Sequence, residues 1–315
     1  MKKLFRRLII LAVIVIVAFF FLSRGDLIDV DDYLSYKKFV TKSFEPSVDG
    51  SKISISIIDT ASAPSKKGMV IGGESLFEDY IISHSAILIQ HPQGNILFDT
   101  GLGSHIDEQF LEMPSFLRPM LKYNFKESVV SQLKGSGINI GNIILSHLHW
   151  DHAGGVEDFI GSQVWTSKHD LESAMLKDEG SLKSQLDDNN ILWNFVEYND
   201  GSYENFTASL DFYKDGSVVL VPLPGHTSGS IGMFVNSSTG KRYFFTGDAT
   251  YGLAGFTKPT EKSFLLKYAI DKDHETLIQT ILKVHYLMRE YPELVVVPAH
   301  DSVMQARLAQ YPAVE

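Results

Sequence analysis

The chain has 315 residues, of which 44% are hydrophobic, so it is long enough and apolar enough to bury one substantial core. Four of its 28 basic residues lie within the first seven positions, which leaves 24 basic against 38 acidic residues, a formal charge of −14 that disfavours nucleic-acid binding. The chain contains no cysteine, so disulfides, thiolate nucleophiles and cysteine-ligated zinc are excluded, and a metal ion would need His, Asp or Glu donors.

The N-terminus has the pattern of a membrane-targeting segment. Four basic residues precede an unbroken apolar run over residues 8–22. A spanning helix needs about 20 apolar residues, which residues 4–22 roughly supply if Arg6 and Arg7 reach back to the headgroups. Residues 19–22 are bulky, whereas signal peptidase needs small side chains near its cleavage site. We therefore predict an uncleaved transmembrane anchor, with a cleaved signal peptide as the alternative.

Either form of this leader exports the rest of the chain. Basic flanks remain in the cytoplasm, so an anchored protein would hold its main domain on the periplasmic side of the inner membrane if the source is bacterial. A cleaved leader would release the same domain by secretion. The predicted organisation is a leader over residues 1–24, a mixed and charged spacer over residues 25–50, and one globular domain over residues 51–315.

From residue 51 the chain shows short β-type segments in series. Residues 53–58 alternate between apolar and polar side chains, and residues 86–90 and 95–98 flank a turn at residues 92–94. Further strands are expected at residues 142–145, 163–166, 218–221, 230–235, 242–245 and 294–297.

Helical patterns lie between these strands. One covers residues 127–134 and is ended by two glycines; the other runs from residue 274 to 290, with Asp273 as its N-cap and Pro292 beyond its end. The second helix has an apolar stripe that should face a sheet. Sheets followed by helices, twice over, predict an α/β sandwich of two sheets with helices outside.

The segment at residues 144–155 is the most informative in the chain. An apolar strand runs into His147, His149, Asp151 and His152, and two glycines then allow a sharp exit of the backbone. In an extended or tightly turned segment, residues two apart project to the same side, so His147 and His149 can share one ion while Asp151 and His152 turn toward another. Such a cluster would be costly as a purely structural feature, because partly buried imidazoles and carboxylates need partners.

Three more donors follow predicted strands: His226 in Pro-Gly-His-Thr, Asp248 in Thr-Gly-Asp-Ala, and His300 in Pro-Ala-His-Asp. Together with the histidine-rich segment, these motifs resemble the metallo-β-lactamase superfamily over residues 51–315. The resemblance implies a four-layer αββα sandwich. It also implies that His147, His149 and His226 hold one metal, that Asp151, His152 and His300 hold a second, and that Asp248 bridges them. Asp99, in Phe-Asp-Thr-Gly, matches a further family landmark beside the metal histidines.

A site of this kind is suited to hydrolysis. Two divalent ions, commonly about 3.5–4 Å apart, can share a water and lower its pKa toward neutrality, which gives a bridging hydroxide as nucleophile. Nitrogen and carboxylate donors suit Zn²⁺, and iron, manganese and cobalt also accept this donor set. We expect two divalent ions, with Zn²⁺ first among them. Asp151 is the candidate general acid for the leaving group.

Within the superfamily, the motifs are most similar to those of the N-acyl-homoserine lactonase branch. In that branch a tyrosine three residues after the bridging aspartate reaches the substrate carbonyl, which makes Tyr251 the candidate for this contact. The expected function is hydrolysis of a lactone or other carboxylic ester, with an N-acyl-homoserine lactone as the leading candidate, and therefore of a small, amphiphilic substrate. A phosphodiester hydrolase of the same fold is the alternative, and a membrane-tethered binding protein without catalysis is a third reading.

Other features carry weaker expectations. Trp150 and Phe256 are candidates to line an acyl pocket. Residues 104–123, rich in Phe, Leu, Met and Pro, predict either a flap over the substrate or an ordinary capping segment. The remaining six histidines, His84 among them, are assigned no role. The residues do not indicate an oligomeric state.

Overall fold

The computed structural model describes residues 53–176, 180–237 and 240–315, together with residues 6, 7, 9–14, 17, 28 and 30. Its strands are β1 (Ser54–Lys66), β2 (Asp79–Gln90), β3 (Asn95–Phe98), β4 (Asn124–Phe125), β5 (Ile140–Ile144), β6 (Gln163–Thr166), β7 (Leu192–Phe195), β8 (Leu210–Asp211), β9 (Val218–Pro222), β10 (Ile231–Asn236), β11 (Arg242–Phe245) and β12 (Val295–Val297).

Within residues 53–315, the described α-helices lie between the strands or after the last of them. They are α1 (Lys67–Val70), α2 (Ile106–Gln109), α3 (Val129–Gln132), α4 (Lys168–Met175), α5 (Ala254–Thr257), α6 (Phe264–Ile270), α7 (His274–Glu290) and α8 (Ser302–Gln305). Short 3₁₀ turns cover Phe110–Glu112, Val156–Phe159 and Lys183–Gln185.

The strands form two sheets. The first has seven strands in the order β4-β1-β2-β3-β5-β6-β7, and the second has five in the order β12-β11-β10-β9-β8. In the first sheet β1, β2 and β3 pair antiparallel, whereas β3, β5, β6 and β7 run parallel. In the second sheet only β11 and β12 are parallel.

The sheets pack face to face and helices cover both outer faces. Alternate residues of β1, β2 and β3, such as Ile57, Ile89 and Phe98, meet Met233 and Phe245 of the second sheet in one apolar core. The opposite face of the first sheet is covered by α3 and α4. The outer face of the second sheet is covered by α7 through its apolar stripe. This order of layers is the α/β sandwich that the sequence predicts.

Some elements have the predicted bounds and others are longer or shorter than predicted. Helix α7 has the predicted bounds, and the Asp273 side chain accepts a hydrogen bond from the Thr276 amide as its N-cap. Strands β1 and β2 extend well beyond the predicted residues 53–58 and 86–90, because their outer halves, which mix polar and apolar side chains, pair with each other across one register shift. The helix predicted at residues 127–134 is reduced to α3, because Ser128 has extended backbone and Gly135 has a φ of 80°.

The predicted anchor lies largely outside the described residues. Among the residues that are described, no helix is long and apolar enough to cross a membrane. Two described positions of the spacer contact the domain: the Ile28 amide donates to the Pro259 carbonyl at 3.0 Å, and the Tyr286 hydroxyl donates to the Val30 carbonyl at 2.9 Å. At these two positions the spacer therefore packs against the catalytic domain.

Residues 104–123 form a half-buried segment. Ile106, Phe110 and Met113 pack into a small core with Trp150. Phe116 and Met120 are instead 73% and 75% exposed. The segment is thus fixed along one side and presents apolar side chains to solvent along the other.

Candidate metal centre

Four of the predicted ligands lie in the loop that follows β5. This strand is inside the first sheet, between β3 and β6, so the loop begins from a rigid position. The side chains of His147, His149, Asp151 and His152 are all buried. A Cβ atom on Gly154 would lie 2.6 Å from the Gly101 carbonyl oxygen, so this exit from the loop requires glycine.

The other three predicted ligands come from the second sheet. His226 follows β9, Asp248 follows β11 and His300 follows β12, and all three are buried. The ends of both sheets therefore meet around one cluster. All seven residues that the sequence predicts as ligands are brought together there.

The donor atoms form two adjoining groups. In the first, His226 Nε2 lies 3.1 Å from His147 Nε2, 3.0 Å from His149 Nδ1 and 3.5 Å from Asp248 Oδ2. The donor atoms of these four residues lie within 4.8 Å of one another.

The second group is joined to the first through Asp248. Its Oδ1 atom lies 3.1 Å from His300 Nε2 and 3.3 Å from His152 Nε2. Asp151 Oδ2 lies 3.5 Å from His300 Nε2. Asp248 Oδ2 also lies 3.2 Å from His300 Nε2, so the Asp248 carboxylate faces both groups.

The hydrogen bonds around the imidazoles leave their inward nitrogens free to donate lone pairs. His226 Nδ1 contacts Asp271 Oδ1 at 2.7 Å, His152 Nδ1 contacts Asp99 Oδ2 at 2.8 Å, and His300 Nδ1 contacts the Ser83 carbonyl at 2.7 Å. With its outer nitrogen against an acceptor, each of these imidazoles turns Nε2 toward the cluster, where that nitrogen offers a lone pair to a cation once it is deprotonated.

This arrangement is unfavourable without a cation. His152 Nε2 and Asp248 Oδ1 are buried 3.3 Å apart, and neither makes a well-formed hydrogen bond, which is rare for buried polar atoms in folded proteins. His147 Nε2 and His226 Nε2 face each other 3.1 Å apart, although the proton of His226 is directed to Asp271. Converging lone pairs of nitrogen and carboxylate oxygen fit a divalent ion such as Zn²⁺.

The charge states of the first group are those of metal donors. Burial lowers the pKa of His147 well below its ordinary value, and the neighbouring His152 lowers it further. Burial also lowers the pKa of His149, to about 3. Both imidazoles are therefore uncharged at neutral pH.

In the second group the carboxylates dominate. Burial opposes protonation of His152, but Asp248 and Asp99 outweigh it and raise the pKa of this imidazole well above its ordinary value. Burial also opposes ionisation of Asp248, yet His300 and His152 hold the pKa of its carboxyl well below the usual range. Asp248 is thus a carboxylate, and in the metal-free protein His152 carries a proton in its place beside it.

Of the three aromatic residues predicted to lie near the substrate, two are beside the cluster and one is not. The ring of Tyr251 lies 4.4 Å from the ring of His300, at the edge of the cluster, and the Tyr80 hydroxyl donates to its carbonyl at 2.8 Å. Trp150 packs between Phe110 and the cluster. Phe256 is fully buried behind the second sheet, so the expectation that it lines an acyl pocket is wrong.

Three residues that contact the predicted ligands are not predicted from the sequence. Asp271 accepts from His226, and the fully buried Lys262 donates to Asp271 Oδ1 at 2.7 Å and to the Asp248 carbonyl at 2.8 Å. His84, which was assigned no role, has its Nδ1 atom 3.1 Å from Asp151 Oδ2. None of the three has a motif around it, because each reaches the cluster from a distant part of the chain.

Comparison with known proteins agrees with this architecture. The family model described as the metallo-beta-lactamase superfamily matches residues 80–300. The chain is 25% identical to the N-acyl homoserine lactonase AttM of Rhizobium radiobacter over 248 residues, which are 74% of this chain and 88% of that protein. It is 26% identical to a probable metallo-hydrolase of Mycobacterium tuberculosis over 265 residues, which are 76% of this chain and 83% of that protein.

Solved structures share the fold. An N-acyl homoserine lactone hydrolase with N-hexanoyl-L-homoserine bound at its catalytic metal centre superposes with a TM-score of 0.66 and 20% identity, over 83% of this chain and 98% of that one. AidC, a dizinc quorum-quenching lactonase, superposes with a TM-score of 0.55 and 14% identity, over 85% of this chain and 91% of that one. With the family match over most of the domain and its buried His and Asp donors, the chain belongs to the metallo-beta-lactamase superfamily and is a metal-dependent hydrolase.

Proposed function

We propose that the protein hydrolyses the lactone ring of N-acyl-homoserine lactones or a closely related carboxylic ester, with two divalent ions bound at the cluster. The observation that carries the proposal is the double donor group joined by Asp248, with Tyr251 at its edge. Curated relatives matched over most of their length are named as N-acyl homoserine lactonases, which supports the substrate class.

The proposed ligand assignment follows the two donor groups. His147, His149 and His226 would hold one ion, Asp151, His152 and His300 the other, and Asp248 would contact both. When bound, a pair of Zn²⁺ ions lowers the pKa of a shared water and polarises the carbonyl oxygen of the substrate.

The protein's own residues would orient the substrate and move the proton. The Tyr251 hydroxyl would donate a hydrogen bond to the carbonyl oxygen, where negative charge develops during attack. Burial raises the pKa of Tyr251 well above its ordinary value, so this hydroxyl keeps its proton. The Asp151 carboxylate would take the proton released by the attacking water and give it to the leaving alkoxide oxygen of the lactone.

The test is hydrolysis by the purified full-length chain in detergent, loaded with zinc. The panel is a series of acyl-homoserine lactones of increasing chain length, aryl esters and bis-p-nitrophenyl phosphate, with Asp248→Ala as the inactive control. Lactone or ester turnover that disappears in the control supports the proposal. Turnover of the phosphodiester alone would assign the protein to phosphoryl chemistry instead, and absence of turnover on all three by metal-replete protein would refute the carboxylic-ester assignment.

The site of action is a separate part of the proposal. We propose that residues 1–24 anchor the protein in the inner membrane of a bacterium with the catalytic domain on the periplasmic side. The exposed apolar residues Leu111, Phe116 and Met120 support contact with amphiphiles near that membrane. Protease accessibility of the domain in spheroplasts, compared with intact cells, tests the orientation, and recovery of the domain in the culture medium would show secretion instead.

A further inference from the structure

His84 is a buried imidazole whose close polar contact is the Asp151 carboxylate. It lies in β2, its backbone carbonyl accepts a hydrogen bond from Thr60 Oγ1 at 2.7 Å, and its side chain is 4% exposed. Both of its ring nitrogens are buried without a hydrogen-bond partner. The other buried histidines in the described part of the chain each have at least one nitrogen in a hydrogen-bond contact. A buried imidazole left in this state needs a ligand to explain it.

The unpartnered nitrogen points into the second donor group. His84 Nδ1 lies 3.1 Å from Asp151 Oδ2, and Asp151 Oδ2 lies 3.5 Å from His300 Nε2. The donor atoms of these three residues lie within 4.8 Å of one another. The preceding residue, Ser83, fixes His300 through its carbonyl oxygen. Adjacent residues of one strand therefore serve the same corner of the cluster.

The contact distances in this corner fit two ligands of one ion. His84 Nδ1 and Asp151 Oδ2 lie 3.1 Å apart, a contact in which the imidazole can also donate to the carboxylate when no ion is bound. Donor atoms that each lie about 2.0–2.2 Å from a shared ion are themselves roughly 3–3.5 Å apart. The two measured separations in this corner fall in that range.

We propose that His84 is an additional metal ligand, which completes a His84–Asp151–His300 corner around the second divalent ion. The inference rests on the proposed two-metal function and extends it, because His84 adds a sixth imidazole to the five that the motifs supply. The added neutral donor lets the second position hold a borderline-soft cation such as Zn²⁺ or Co²⁺ without a further carboxylate. Its expected effect is tighter binding of the second ion, with the first ion unaffected.

The experiment measures metal binding directly, in the full-length chain. Apoprotein is titrated with Zn²⁺ against a chromophoric chelator to give two stepwise affinities. The variants are His84→Asn, whose amide can still donate a hydrogen bond to Asp151, and His84→Phe, which fills the space without a donor. His91→Asn is the matched control, because His91 is also buried but contacts Asp215 away from the cluster. Circular dichroism establishes that each variant is folded.

Both His84 variants should bind the first ion as the wild type does and the second at least about 100-fold more weakly, beyond the usual range for loss of an outer contact. In the Co²⁺-loaded protein, His84→Asn should also lose one hyperfine-shifted imidazole N–H signal. Wild-type affinity in His84→Phe would overturn the inference, and so would wild-type affinity in His84→Asn alone, which would show a hydrogen-bonding role. Failure of the wild type itself to bind two ions would instead refute the proposed function on which the inference rests.

Discussion

The buried ion pair behind His226 offers a stringent test of how the centre is held. Lys262 and Asp271 have side chains that are 1% and 0% exposed and that meet at 2.7 Å. Burial alone would raise the pKa of Asp271, but Lys262 outweighs it and the pKa lies below the usual range. Replacing Asp271 by Asn leaves the lysine cation buried with only neutral acceptors. Breaking one side of a buried pair costs about 3–5 kcal/mol, so Asp271→Asn should lower the free energy of unfolding by about that amount.

The double variant separates charge from packing. The double variant Lys262→Met/Asp271→Asn removes both charges. Its free energy of unfolding should therefore fall by about 2 kcal/mol or more less than the sum of the decreases in the two single variants. Urea denaturation of the metal-free protein at pH 7 provides all four free energies. The stabilising contribution of the pair is present above the unfolded-state pKa of Asp271 and is lost as pH falls through its depressed folded-state pKa. The reasoning would be refuted if the double variant lost as much free energy of unfolding as the two single variants together. It would also be refuted if Asp271→Asn alone lost less than about 1 kcal/mol.

Three further outcomes are expected. Tyr251→Phe should lower kcat for the lactone by about 10- to 100-fold, because one hydrogen bond to the negative charge on the substrate carbonyl oxygen is lost, while the zinc content stays unchanged. An unaltered kcat would show that Tyr251 takes no part in the reaction. The pKa of His152 is raised, whereas the pKa values of His147 and His149 are lowered. The ion held by His152 should therefore displace a proton when it binds, and its affinity should fall more steeply as pH decreases than that of the ion held by His147 and His149. Calorimetry at pH 6 in buffers of different ionisation enthalpy measures this proton release. Gly225→Ala should destabilise the protein by at least about 2 kcal/mol in urea denaturation, because φ is +127° and its Cβ would meet Leu277 Cα at 2.4 Å; Gly201→Ala, with φ of +80° and open space, should cost less.

The histidine-rich loop could be predicted because its information is local. Four donors within six residues after an apolar strand leave few structural explanations, and the motifs around His226, Asp248 and His300 each follow a strand that periodicity also predicts. Strands β6 and β11 and helix α7 have the predicted bounds for the same reason, since each has a clear apolar period and local end signals.

The strands and site residues that could not be predicted depend on contacts between distant parts of the chain. Strands β4 and β8 have two residues each, too short for any period to register. The outer half of β2 mixes polar and apolar side chains without a clear period and is defined as a strand by its pairing with β1. His84 and Asp271 meet ligands that are 67 and 45 residues away along the chain. No spacing rule connects such positions, because their proximity follows from sheet order and loop packing.

These two kinds of residue together suggest why the centre is coupled to folding. The motif donors converge from both sheets, and the motif residue Asp99 holds His152 in place while the distant residues Asp271 and Lys262 hold His226 and Asp248. Without a cation, the buried His152 Nε2 and Asp248 Oδ1 meet each other without a well-formed hydrogen bond. An ion that binds the folded chain and not the unfolded one would stabilise the fold by mass action. The convergence of buried donors from both sheets is therefore expected to couple metal binding to folding.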